Sequence, residues 1–303
     1  MTGFYEKLLG AADKDNIKVG EEMRKHTSFR VGGPAACFVT PADEKELAAV
    51  IALCRREEVP FFILGNGSNL LVGDEGFDGV VISMDCFKYC QADKETGILK
   101  AGAGAPLARI ALEAYRATLT GFEFAAGIPG TLGGAVVMNA GAYGSEMKEV
   151  LRSVRVLTPE GEVRELPADQ LSLGYRTSCI IPKQYVVLEA KIRLRDGDEV
   201  SIKNRMDELA RRRKEKQPLE FPSAGSTFKR PEGHFAGKLI EEAGLRGFSL
   251  GGAQVSEKHC GFVINKDSAT AADIRNLCEE VKKRVFKNSG VALEMEVKTL
   301  GKF

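Results

Sequence analysis

Two glycine-rich stretches carry the main-chain donors from which phosphate and ring sites are built. One is Gly65-Asn66-Gly67-Ser68-Asn69-Leu70. A strand that delivers G-N-G-S-N offers a row of backbone N–H groups, plus Ser and Asn donors, to a pyrophosphate. The other runs from Gly121 to Met147, with glycines at 127, 130, 133, 134, 141 and 144 among apolar residues. Glycine tolerates positive φ and lets a backbone approach a ligand closely, so this segment reads as main chain laid against something flat or anionic. Read without a ligand, the first stretch is a polar turn and the second a tightly packed core segment; the residues alone leave both readings open. Neither is a dinucleotide fingerprint or a P-loop: Leu70 replaces the third glycine of G-x-G-x-x-G, and no G-K-S or G-K-T follows. Four polar side chains complete the candidates. Arg176 lies between Tyr175 and Thr177 and reads by itself as a solvated side chain. Ser226, in the turn between Pro222 and Pro231, reads as a hydroxyl bonding its own backbone. Glu294 and Glu296 share one face of a C-terminal alternation, which does not separate them.

Composition narrows the classes of function. The chain has 303 residues, beyond the usual size of a single core, so two or three domains are expected. Lys plus Arg number 43 against 42 Asp plus Glu, a balance that lacks the basic footprint of a nucleic-acid binder. No apolar run is long enough to span a bilayer, and the first residues lack the apolar core of a signal peptide, so the cytoplasm is the expected compartment. The seven cysteines contain no C-x-x-C pair and the histidines are only His26, His234 and His259. Both facts argue against disulfides and a metal centre.

The elements that must position these residues follow in chain order. A strand at A-C-F-V-T leads to a helix capped by Thr40, with Pro41 first and Leu47, Val50, Ile51 and Cys54 on its buried face. Phe61 to Leu64 reads as a buried strand running into the first glycine loop. Strands are expected at Gly79–Met84 and Ile98–Gly102, and a helix after Pro106. Thr158-Pro159-Glu160-Gly161 makes a hairpin between Val154–Leu157 and Val163–Leu166. Val186–Leu194 alternates, with its charged face expected to be wet. A helix from about Glu199 to Lys216 ends in R-R-R-K-E-K, cations that suit its dipole. Beyond Pro222 come a short helix at Ala236–Ala243, a strand at Gly261–Asn265, a long helix capped by Thr270 and Asp273, and a strand at Val291–Leu300. That alternation suggests a compact α+β domain.

In order and spacing, R-V-G-G-P-A, L-G-N-G-S-N-L-L-V, A-G-I-P-G-T-L-G-G-A-V-V-M-N-A-G-A-Y-G, G-Y-R-T-S, P-S-A-G-S-T-F-K-R-P and L-E-M-E-V resemble the UDP-N-acetylenolpyruvoylglucosamine reductase family of bacterial cell-wall synthesis. The resemblance covers nearly the whole chain. It implies an α+β fold: a two-part FAD-binding domain of the p-cresol methylhydroxylase type at 1–85 and 86–217, then a smaller substrate-binding α+β domain at 218–303. It implies the family's reaction, in which NADPH reduces the enolpyruvyl ether of UDP-N-acetylglucosamine enolpyruvate to UDP-N-acetylmuramate for peptidoglycan synthesis. The short passage from Ser178 to Val186 resembles the family's second type, and Arg230 stands where the family commonly has Asn.

Residue by residue, the resemblance assigns Gly65, Asn66, Gly67, Ser68, Asn69 and Leu70, with Gly127, Ile128, Gly130, Gly133 and Gly134, to FAD. It assigns Arg176, Ser226 and Glu296 to catalysis, Ser226 as proton donor, and Asn139, Tyr175 and Lys216 to substrate; it implies no metal. Many flavin oxidases of this superfamily tether the cofactor through a histidine. None of the three histidines lies in either loop, so FAD is expected to bind non-covalently. A different flavin oxidase or dehydrogenase, or a silent nucleotide-binding protein, would share the loops but would not require Arg176, Ser226 and Glu296 together.

Overall fold

The structure is a computed structural model in which residues 2–303 are described. The chain forms two compact units. The first comprises the chain up to Lys18, Phe38–Asn66 and Val80–Arg213; the second comprises Val19–Cys37, Gly67–Gly79 and Lys214–Phe303. The chain passes from one to the other inside the strands Ile17–Glu22, Pro34–Val39 and Phe77–Ser83.

The first unit is built on an antiparallel sheet in the order Val163–Pro167, Leu151–Leu157, Val186–Arg193, Ile98–Gly102, Cys90–Asp93. Val154, Val156, Leu188, Ala190 and Ile192 are fully or almost fully buried in it, as strand periodicity requires. The hairpin turn closes with Gly161 at φ 86° and Thr158 N–H donating to Glu162 O at 2.8 Å. The face of Val186–Arg193 expected to be wet is so only in part: Arg193 is exposed and Lys191 half-buried, but Val187 and Glu189 are buried. Glu189 is 1% exposed; it accepts from Tyr89 Oη at 2.6 Å and pairs with Lys100 Nζ at 3.0 Å. Burial, with the Glu189 carboxylate adding to it, pushes the Tyr89 phenol well above its ordinary value.

The helix Glu44–Arg56 buries Leu47, Val50, Ile51 and Cys54 as expected, but Asp43 caps it, not Thr40. Asp43 Oδ1 accepts from Lys45 N–H at 2.8 Å and Glu46 N–H at 2.9 Å. Thr40 lies just past the strand Pro34–Val39, and its N–H donates to Asn16 O. Phe61–Leu64 pairs in parallel with Val80–Ser83, which fixes the exit point of the first glycine loop.

The core of the second unit is the helix Ala271–Ser289, whose buried Ile274, Leu277, Cys278, Val281 and Val285 pack with the helix Ala236–Glu242. The expected Thr270–Asp273 capping box is present. A three-stranded antiparallel sheet, Ser249–Leu250, Ala253–Val255 and Val263–Asn265, lies in the same unit. The C-terminal strand is shorter than its alternation suggests. Only Lys298–Leu300 forms a ladder, parallel to Leu70–Val72, while Met295 makes a single antiparallel bridge to Phe228.

Candidate functional site

In the first unit the two glycine stretches meet. A Cβ on Gly65 would lie 2.3 Å from Thr131 Oγ1, so the glycine lets the Thr131 side chain pack directly on the end of the strand. Asn66 Nδ2 donates to Pro129 O at 2.7 Å, tying the end of the strand to the second stretch. Leu107 N–H donates to Gly130 O and Ile128 N–H to Ala125 O, each at 3.0 Å. Gly133 is a packing glycine: its N–H donates to Ala103 O at 2.8 Å, and a Cβ there would sit 3.1 Å from Ala103 Cβ. Gly127 and Gly134 instead present exposed main chain.

Thr131 is the residue the sequence reading passed over. It occupies the N-cap position of the helix Leu132–Val137, yet its hydroxyl makes no capping bond. Oγ1 is buried and finds no partner among the described residues. A buried hydroxyl left unpaired costs about 1–3 kcal/mol. It lies where loop Gly65-Asn66 adjoins the start of that helix, so the residues fit a nucleotide whose phosphate or ring oxygens accept from it.

Arg176 and Tyr175 form the tip of a tight turn closed by reciprocal bonds, Gly174 N–H to Thr177 O at 3.1 Å and Thr177 N–H to Gly174 O at 3.3 Å. Arg176 has φ 54°, and its guanidinium carbon stands 5.1 Å from the Tyr175 ring centroid. Tyr175 is 52% exposed. Asn139 is wholly buried. Its Nδ2 donates to Gly174 O at 3.1 Å and its Oδ1 accepts from Lys148 N–H at 2.9 Å. The amide therefore links the turn at Gly174 to the main chain at Lys148. Tyr143, a further residue not singled out from sequence, donates from Oη to Leu209 O at 3.2 Å and ties the glycine segment to the helix Glu199–Lys216.

In the second unit Gly67, at φ 56°, leaves no room for a Cβ, which would meet His26 O at 2.0 Å. The His26 ring itself is occupied by Glu21 Oε1 at 2.9 Å. Ser68 is half-buried and Leu70 buried. Asn69 joins this loop to the C-terminal segment: its Nδ2 donates to Glu296 O at 3.2 Å and its O accepts from Lys298 N–H at 3.1 Å.

Ser226 is exposed, next to Gly225 at φ 74°, and Oγ makes no hydrogen bond among the described residues. The turn is held instead by Thr227, which is fully buried. Thr227 N–H donates to Gly261 O at 2.8 Å, its Oγ1 accepts from Val263 N–H at 2.9 Å, and its O accepts from Glu296 N–H at 2.8 Å. The bland reading of Ser226 as a turn hydroxyl thus loses its purpose.

The two glutamates that alternation left equal differ in their surroundings. Glu294 pairs with Lys229 Nζ and its side chain is 72% exposed, whereas Glu296 is half-buried beside Thr227. Lys216, exposed at the end of its helix, lies near His259. Burial pushes the His259 imidazole below its ordinary value, and the Arg246 and Lys216 charges add to this. Its Nδ1 accepts from Gly261 N–H at 3.1 Å, so the ring is held neutral on that side. No group of three or more His, Cys, Asp or Glu among the described residues could hold a metal ion.

Residues 35–167 match the FAD binding domain family, and residues 217–300 match the C-terminal domain family of UDP-N-acetylenolpyruvoylglucosamine reductase. The chain is 50% identical over 298 residues to the UDP-N-acetylenolpyruvoylglucosamine reductase of Clostridium botulinum (strain Eklund 17B / Type B), covering 98% of this chain and 97% of the relative. It is 52% identical over 298 residues to that of Clostridioides difficile (strain 630), with the same coverage of both chains. The crystal structure of the reductase from Thermus caldophilus superposes with a TM-score of 0.80 at 36% identity, over 94% of this chain and 100% of that one. With identity at this level along almost its entire length, the chain belongs to the UDP-N-acetylenolpyruvoylglucosamine reductase family.

Proposed function

We propose that this chain is an FAD-dependent oxidoreductase that uses NADPH to reduce UDP-N-acetylglucosamine enolpyruvate to UDP-N-acetylmuramate, in the cytoplasm, for peptidoglycan synthesis. Among the described residues no helix is long and apolar enough to cross a membrane. The near balance of 43 basic and 42 acidic residues supports a small-molecule partner over nucleic acid. The division at 85/86 and 217/218 into two FAD-binding subdomains and a substrate domain belongs to the same reading.

Bound FAD would supply hydride transfer from NADPH to C3 of the enolpyruvyl group. Asn66, Thr131, Gly127 and Gly134 would hold it in the first unit, and Gly67 to Leu70 continue the loop in the second; no side chain in either loop offers a tethering histidine. The residues supply the rest. As hydride adds at C3, negative charge develops toward C2 and the carboxylate. Arg176 binds that carboxylate with a planar fork of donors, acting where charge develops. Tyr175 stacks on Arg176 and sets its direction, while Asn139 acts on the same turn through Gly174. Ser226 donates its hydroxyl proton to C2. A serine is a weak acid, but a strongly basic enolate requires only a positioned donor. Glu296 hydrogen-bonds the enol form, and Lys216 binds substrate.

The observation that carries the reading is the Thr227 lock, which leaves the neighbouring Ser226 hydroxyl exposed and unspent beside the segment of Glu296. Its test is NADPH oxidation by the flavin-loaded protein with and without UDP-N-acetylglucosamine enolpyruvate. Consumption stoichiometric with UDP-N-acetylmuramate formed supports the reading; a flavin that NADPH reduces but the enolpyruvyl substrate does not reoxidise contradicts it.

A further inference from the structure

A cleft of about 620 Å³ opens in the second unit, lined from four separate stretches of the chain and by none of the residues assigned above to FAD, catalysis or substrate. Its volume falls within the roughly 300–1,000 Å³ typical of small-molecule sites. Arg30 stands on its wall and opens R-V-G-G-P-A, a stretch to which the proposed reaction gives no role. Three exposed cations, Arg24, Arg30 and Lys266, share the lining with two carboxylates, Glu22 and Asp74. Both carboxylates are engaged. Glu22 pairs with Arg24 Nε at 3.5 Å, and Asp74 accepts from Ala271 N–H and Ala272 N–H at 2.8 Å each. Arg30 makes no ion pair or side-chain hydrogen bond among the described residues, and Lys266 Nζ finds only the face of Phe221, 4.1 Å from the ring centroid.

The fold brings these two unanswered cations together. Asn265 Nδ2 donates to Phe29 O at 3.1 Å, which joins the residues immediately before Lys266 and Arg30. Arg30 has φ 58° and Ser268 φ 51°, left-handed backbone that is unfavourable for any residue with a Cβ and persists only where the surroundings hold it. Around Arg30 they do: its N–H donates to Thr27 O at 3.1 Å, and Thr27 Oγ1 donates to Val31 O at 2.8 Å. Ser268 is exposed, and its hydroxyl has no partner among the described residues. Phe221 and Pro222, both half-buried, add an apolar surface to the same lining.

A guanidinium and an ammonium donate and cannot accept, and an anion with several oxygens answers both at once. Inorganic phosphate would fill a small part of the cleft and leave Phe221 and Pro222 bare. We propose that the cleft binds a small organic phosphate, whose phosphoryl oxygens accept from Arg30, Lys266 and Ser268 and whose carbon body lies against Phe221 and Pro222. The site is independent of the flavin reaction proposed above.

The probe is phenyl phosphate, titrated calorimetrically into the flavin-loaded protein with UDP-N-acetylmuramate saturating, so that the proposed substrate site is occupied. One equivalent should bind. Inorganic phosphate should bind about 10-fold or more weakly, because it buries no ring, and phenol should not bind measurably. Arg30→Gly removes the guanidinium and suits the left-handed φ, so it should fold and melt as the unsubstituted protein does. Lys266→Gln removes the second charge. Each should weaken phenyl phosphate about 10- to 100-fold, while bound FAD and NADPH-driven turnover stay unchanged. An affinity that both variants leave unaltered, or no binding of phenyl phosphate to the unsubstituted protein, overturns the proposal. So does inorganic phosphate binding as tightly as phenyl phosphate, which would mark an adventitious ion only.

Discussion

The backbone N–H of Glu296 donates to the carbonyl of Thr227 at 2.8 Å, which sets the carboxylate-bearing residue opposite the neighbour of Ser226. Since Thr227 is wholly buried and uses its N–H, its O and its hydroxyl, the exposed serine has a rigid mount. Thr227→Val removes the acceptor of Val263 N–H and leaves that donor buried. Unfolding in denaturant should lose about 1–3 kcal/mol, and turnover should fall with it. Thr227→Ser keeps the hydroxyl and should recover most of both. A valine variant with normal stability and normal turnover would remove Thr227 from the account.

Gly65 and Thr131 should couple. Gly65→Ala places a methyl 2.3 Å from Thr131 Oγ1, so the variant should bind FAD poorly and melt lower. In a Thr131→Ala background the obstructing oxygen is gone, and the same change should cost much less. Additive effects in this double-mutant cycle would show that the two loops do not meet at these residues.

How much of this was legible from the residues varies with the physics involved. The Thr270–Asp273 capping box and the buried stripe of the following helix are local and periodic, and sequence finds both. Asp43 displaced Thr40 as a cap because Thr40 N–H is taken by Asn16 O just past the strand Pro34–Val39, a pairing between distant residues that local preference does not show. The strand Cys90–Asp93 went unread because its half-exposed residues show no apolar alternation. Glu189 looked solvent-facing because a strand's period says which face a side chain takes, not what covers that face. At the site, glycine spacing marks the two stretches, whereas Thr131 and Thr227 are marked only by the partners they lack or have in three dimensions.

Arg176 is expected to act on substrate charge and not on the flavin. Arg176→Lys loses the bidentate fork and Arg176→Ala more, with turnover down roughly 10²-fold or further. Flavin reduction by NADPH should persist in both, since no enolpyruvyl carboxylate takes part in that half-reaction. Equal damage to both half-reactions would assign Arg176 to the fold or the cofactor.

His259 gives a pH signature. Its folded value is depressed below the ordinary 6.5, so the unfolded chain binds a proton that the folded chain refuses. Its contribution to stability is therefore complete above 6.5 and declines as pH falls from there through the lower folded value. His259→Gln, neutral at every pH, should flatten that limb of the stability profile. An unchanged slope would mean that the imidazole titrates normally.

The proton donor is where the account is most exposed. General acid catalysis of this kind is worth about 10² to 10⁴ in rate. Ser226→Ala should retain FAD, the fold and NADPH-driven flavin reduction, because Thr227 and not Ser226 holds the turn. Rapid mixing of the reduced alanine variant with UDP-N-acetylglucosamine enolpyruvate isolates the oxidative half-reaction. The account predicts reoxidation slowed by that factor, with partial recovery in Ser226→Cys; reoxidation at the unsubstituted rate in the alanine variant would contradict it.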